Sequence, residues 1–148
     1  MRTSLKTAQT TFAKAAKAFV KASIGVRKAI GSLSSPYLMD YCVVRLAGPR
    51  RAGHSTLIAS MSKDWKNPLF LYPNEAIAST MQELLGLNKA RVKSIGNAGA
   101  VLRLRGVPAD VVFVDGASAI SQNTERELIA HCQAYAATNK NFLLILVQ

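Results

Sequence analysis

The run Gly48-Pro49-Arg50-Arg51-Ala52-Gly53-His54-Ser55-Thr56 carries the most pointed chemistry in this chain. Two glycines with four residues between them, followed closely by a hydroxyl, let backbone N–H groups close around phosphate oxygens while the Ser55 hydroxyl meets a magnesium ion. That chemistry normally takes a lysine straight after the second glycine, to reach the β- and γ-phosphates. His54 stands in that place. A histidine is shorter than a lysine and lacks its permanent charge, whereas Arg50 and Arg51 offer guanidinium groups that grip phosphates well. Gly48, Arg50, Arg51, Gly53, His54, Ser55 and Thr56 are the candidate nucleotide or phosphate ligands. The plainer reading is a tight turn with a solvated basic tip.

Such residues need elements to position them. Tyr41–Ala47 is short, apolar and β-branched, and reads as a buried strand; Ser55–Met61 continues as a helix. Strand, glycine loop and helix start together aim a helix N-terminus at an anion. Asp110–Asp115 is an apolar strand closed by a carboxylate, which makes Ser55 and Asp115 the candidate magnesium pair. Leu69–Tyr72 reads as another strand, Pro73-Asn74-Glu75 opens a helix to Leu85, and a helix over Asn123–Ala137 precedes a strand over Phe142–Val147. Arg91–Ile95 and Val101–Leu104, around Gly96-Asn97-Ala98-Gly99, read as a hairpin that sets Arg91, Lys93, Arg103 and Arg105 in a basic stripe. The alternation predicts an α/β fold, a mainly parallel sheet with helices on both faces.

The glycine loop has the spacing of a Walker A motif and Asp110–Asp115 the form of a Walker B strand, in the correct order. In that context Leu104-Arg105-Gly106 leading to Asp115-Gly116-Ala117 resembles a segment of phage terminase large subunits, and the glycine loop is similar to theirs. Leu69–Asn74 looks like the second strand and turn of the same ATPase domain, and Leu143–Val147 like the strand before its coupling motif. The resemblance spans residues 41–148 and implies a P-loop NTPase of the additional-strand type, with ATP and Mg²⁺ as cofactors, Ser55 and Asp115 on the metal and Arg51 near the phosphates. The chain departs from that pattern at His54, for the lysine, and at Gly116, where the class places a water-activating glutamate. It ends at Gln148, ahead of the family's coupling threonine and nuclease domain. Glu125 and Glu127, further on, are not assigned the missing role. A single lost oxyanion donor costs about 10²–10³ in rate in well-measured systems, so the expectation is a shortened, degenerate core that binds phosphate but hydrolyses poorly.

Charge is the other loud feature: nineteen Lys and Arg against eight Asp and Glu, a formal +11. Residues 1–39 hold Arg2, Lys6, Lys14, Lys17, Lys21, Arg27 and Lys28 and no acid. Such asymmetry points to a polyanion, nucleic acid before anionic membrane and DNA before RNA. The candidate nucleic-acid contacts are Lys6, Lys14, Lys17, Lys21, Arg27 and Lys28, with Arg91, Lys93, Arg103 and Arg105. Leu5, Phe12, Phe19, Val26 and Leu33 repeat every seven residues, with Ala8, Ala15, Ala22 and Ala29 between them. This predicts a basic amphipathic helical arm over 1–35, ahead of a P-loop-like domain over 36–148. The arm is read as packing on the domain, as binding DNA, as self-associating, or as a transit peptide. Cys42 and Cys132 have no metal-ligand spacing and read as buried hydrophobes, suiting a reducing cytoplasm. No apolar run reaches transmembrane length. The expected function is a non-motor nucleic-acid-binding or assembly protein in the host cytoplasm or virion, in homo-oligomers or with a larger ATPase or phage assembly. The alternatives are a slow or partner-completed ATPase in DNA packaging or remodelling, and a structural protein assembled through the heptad helix.

Overall fold

The computed structural model describes residues 2–30, 38–48, 53–97 and 99–148. Helix α1 (Arg2–Ile30) is followed by a 3₁₀ turn (Leu38–Tyr41), strand β1 (Val43–Leu46) and helix α2 (His54–Met61). Strand β2 (Pro68–Tyr72), helix α3 (Glu75–Leu85) and the short strand β3 (Val92–Ser94) come next. Strand β4 (Val111–Asp115), helix α4 (Gln122–Thr138) and strand β5 (Leu143–Val147) complete the described chain. The five strands form one sheet in the order β1-β5-β4-β2-β3, every pair parallel.

Parallel strands buried on both faces read as unbroken apolar runs, as in Val111–Val114 and Leu143–Val147. Their alternation divides the core. Leu69, Leu71, Val112, Val114, Leu144 and Leu146 pack beneath Leu128, Cys132 and Ala136 of α4. Phe70, Tyr72, Phe113 and Ile145 face the other way, against Leu57, Ile58 and Met61 of α2, Ala78 of α3, and Ala16 and Val20 of α1. Local signals place the helix starts: the Asn74 side chain accepts from Ile77 N at 2.9 Å, and that of Ser121 from Thr124 N at 3.1 Å.

Helix α1 runs along the sheet from Phe12, beside Gly48 after β1, to Arg27, at the end of α4. The fifteen intervening steps span about 22 Å at 1.5 Å per residue. Its buried side is Ala16, Val20 and Arg27, flanked by Phe12, Ala13 and Ile24. Apart from Phe12, the described heptad residues therefore lie off the packed face. Phe19 and Val26 are 53% and 50% exposed, and Ala15, Ala22 and Ala29 are exposed with them.

Two expectations are corrected. The hairpin is absent: Val92–Ser94 pairs parallel with β2, and Ala100–Leu104 is a 3₁₀ turn. A glycine-rich connection between alternating stretches suits a tight reversal, but the free edge of β2 captures the first stretch instead. The basic stripe goes with it. Arg91 turns to the amino end of the sheet and donates to the carbonyls of Pro68 (2.9 Å), Asn67 (3.1 Å) and Pro108 (2.6 Å). Lys93 and Arg103 share a cavity of about 290 Å³ with Lys89 and Glu75. Arg105 is exposed and sits near His131.

Candidate phosphate and magnesium site

The site lies at the carboxyl end of the parallel strands, on the α2 side of the sheet. Asp115 is the last residue of β4 and follows the alternation of Val111 and Phe113, so its carboxylate faces α2. Gly53 caps α2 in the left-handed conformation, φ 78°, which a side-chain-bearing residue adopts only under strain. The chain then turns straight into the helix at His54, and Ser55 is carried over the sheet. Its Oγ donates to Asp115 Oδ2 at 2.5 Å. Two hydroxyl and carboxylate oxygens sixty positions apart thus meet at the start of a helix, a hard-oxygen pair of the kind magnesium takes.

Around this pair are two buried polar atoms with no hydrogen-bond partner among the described residues, His54 Nε2 and the Tyr72 hydroxyl. His54 turns from Asp115 toward α1, where its ring lies 5.0 Å from that of Phe12, centroid to centroid. Gly48 completes the contact. A Cβ there would fall 2.5 Å from Phe12 Cε2 and 3.0 Å from His54 Nε2, so a larger residue would have to push the Phe12 ring aside. Phe12 was not foreseen here; as a heptad residue it reads as seam. Tyr72 is 1% exposed and ends β2 next to the end of β4. Burial, with the Asp115 carboxylate close by, pushes its phenol up to about 12.

The other expected residues distribute unevenly. Arg50 and Arg51 lie outside the described residues. Thr56 is turned toward α1 and, with Gly53, Lys14 and Lys17, lines a cleft of about 460 Å³ between α1 and α2. Lys14, Lys17, Lys21 and Lys28 are exposed and spaced to share one side of α1, where Lys6 also lies in the helix. Arg27 is not a surface contact. It is fully buried and donates to the carbonyls of Ala136 (2.8 Å) and Asn139 (3.0 Å), closing the C-terminus of α4. Arg91, committed to three carbonyls, is likewise a structural residue rather than a free phosphate contact. Glu125 pairs with Arg45 on the opposite side of the sheet from Asp115. Burial raises both thiols, Cys132 to about 12 and Cys42 in the same direction, which makes them poor nucleophiles.

No protein family, curated protein or solved structure gives a match to this chain. Its class rests on its own architecture, an α/β protein with a five-stranded all-parallel sheet covered on both faces. Among the described residues, no helix is long and apolar enough to cross a membrane.

Proposed function

We propose that this chain is a degenerate P-loop domain of terminase-like ancestry that binds nucleotide with Mg²⁺, turns it over poorly, and engages nucleic acid without acting as a motor. The observation that carries the reading is the Ser55–Asp115 hydrogen bond at the carboxyl end of the sheet. Strand β5 lies between the loop strand β1 and the aspartate strand β4, the arrangement that the name additional-strand describes.

The residues fit the implied cofactor. Ser55 and Asp115 present hard oxygens, and the first N–H groups of α2 favour an anion. A bound magnesium ion would neutralise charge on the phosphates. Ser55 and Asp115 would hold it, while Lys14 and Lys17, across the cleft from Gly53, would supply positive charge near the phosphates. Gly116 leaves no carboxylate to orient an attacking water, so binding outlives turnover. The lysine side of α1 suits a polyphosphate backbone, because released counterions drive such contacts.

Two assays on one preparation test this: retention of labelled Mg·ATP, and release of phosphate. Retention with turnover far below the ~1–10³ s⁻¹ of ordinary enzymes is the expected result. Turnover within that range would contradict the degenerate reading, and absence of retention would remove the nucleotide.

A second reading, self-assembly through α1, is favoured by the exposed heptad seam. No charged residue occupies the seam positions or the small residues Thr11, Ala18 and Gly25 beside them. An antiparallel pair of α1 helices would set Phe19 against Ala22 of the partner subunit and Val26 against Ala15 of the partner subunit, large against small throughout. Sedimentation of the wild type beside Phe19→Lys/Val26→Lys tests it. A dimer lost in the variant supports the pairing, and a wild-type monomer across concentrations removes it.

A further inference from the structure

Tyr72 is one of the two buried polar groups at the site, with His54, that the Ser55–Asp115 pair leaves unexplained. A buried hydroxyl normally finds a partner, because leaving it unpaired forfeits its hydrogen bonds to water. The Tyr72 hydroxyl has none among the described residues, although the side chain is 1% exposed. Its position is not arbitrary. In the β2–β4 register Leu71 stands opposite Val114, which places Tyr72 beside Asp115 with both side chains on the α2 face. The adjacent carboxylate is already engaged by Ser55. What remains is a phenol next to a carboxylate on the α2 face of the sheet, a donor without an acceptor among the described residues.

We infer that the Tyr72 hydroxyl is a third binding group of this site and donates its hydrogen bond to an anionic phosphate oxygen of the ligand. The inference rests on the nucleotide reading and sharpens it. A tyrosine phenol, with an ordinary value of about 10, is protonated throughout the neutral range and so is available there as a donor. A phenol cannot replace the missing lysine's charge, but it supplies a directed donor from a rigid strand end. The neutral donor also suits a site that binds without turning over.

The role separates cleanly from packing. Tyr72→Phe removes one oxygen and keeps the ring in the apolar cluster of the α2 face, so a tyrosine present only for packing gains or loses nothing at the ligand. The test is equilibrium binding of a non-hydrolysable ATP analogue with Mg²⁺ to wild type, Tyr72→Phe and Asp115→Ala, with thermal unfolding of each ligand-free protein alongside. The expected result is binding about tenfold weaker in Tyr72→Phe, one hydrogen bond's worth, with the ligand-free melting temperature unchanged or raised. In ring-labelled protein, the Tyr72 NMR resonance should also move on adding the analogue. Wild-type affinity retained by Tyr72→Phe and lost by Asp115→Ala overturns the inference and leaves the nucleotide reading standing. No binding by the wild type overturns both. A lowered melting temperature in Tyr72→Phe would mean that the hydroxyl has a structural partner, which also overturns the inference.

Discussion

Ser55 and Asp115 reach each other because a left-handed Gly53 starts a helix directly over the carboxyl end of a buried strand. Replacing Asp115 by Asn keeps the shape and the hydrogen bond with Ser55 while removing the charge. Mg²⁺-dependent nucleotide binding should then weaken at least about tenfold, since interactions with ionised groups are the stronger ones, and Mg²⁺-free binding should change little. Affinity that stays equally magnesium-dependent in Asp115→Asn would contradict the assignment. The sequence brought these two residues together because a glycine loop and an acid-closed strand, each a weak signal alone, occur in the right order. Tyr72 was not, since a tyrosine in an apolar strand looks like core until the register sets it beside Asp115. Arg27 was misread for a related reason: in an acid-free run of cations, only the tertiary position of the α4 C-terminus distinguishes a buried carbonyl clamp from a surface charge.

Helix α1 has three sides of different character. One packs on the sheet through Ala16, Val20 and Arg27, one carries the lysines, and one holds the exposed seam of Phe19 and Val26. The seven-residue repeat was visible in the sequence, but periodicity alone does not say which side meets the domain, and the seam was not the one. The short Val92–Ser94 strand was equally out of reach, because pairing with an edge is a long-range event. Two outcomes belong to this element. Arg27→Ala should destabilise the fold by about 3 kcal/mol, because it strips a charged donor from two α4 carbonyls; urea unfolding measures it, and a cost within experimental error would contradict the clamp. Phe12→Ala should uncover Gly48 and His54 and raise nucleotide affinity by roughly threefold or more, as expected when a competing contact is removed. Unchanged or weaker affinity in a folded variant would show that Phe12 does not obstruct the loop.

At the scale of the whole molecule, the alternation of apolar runs with helical patterns was enough to give an α/β sheet with both faces covered, since burial on two sides leaves a plain compositional mark on each strand. Burial also sets a pH response. It raises Cys42, Cys132, Tyr72 and Tyr135, so the fold favours their neutral forms while the unfolded chain ionises at ordinary values. Their contribution is intact below pH ~8 and is lost as the pH climbs from about 8.5 toward about 12. His131 is lowered by burial and by Arg105, so its contribution fades as the pH falls below about 6.5. Urea midpoints across this range should fall at both ends, and a flat profile from pH 8 to about 11 would contradict the buried thiols and phenols. Replacing Lys14, Lys17, Lys21 and Lys28 together by Ala should reduce the log–log salt slope of DNA binding by about 3.6, at roughly 0.9 per phosphate contact. An unaltered slope would place the nucleic-acid surface elsewhere.

The most direct test of the central claim is calorimetric titration of Mg·ATP into the wild type and into Ser55→Ala/Asp115→Ala. Saturable, magnesium-dependent heat is expected in the wild type and should disappear in a double variant of unchanged fold. No binding, or binding indifferent to both residues, would contradict it: the Ser55–Asp115 contact would then be only a strut between α2 and the sheet.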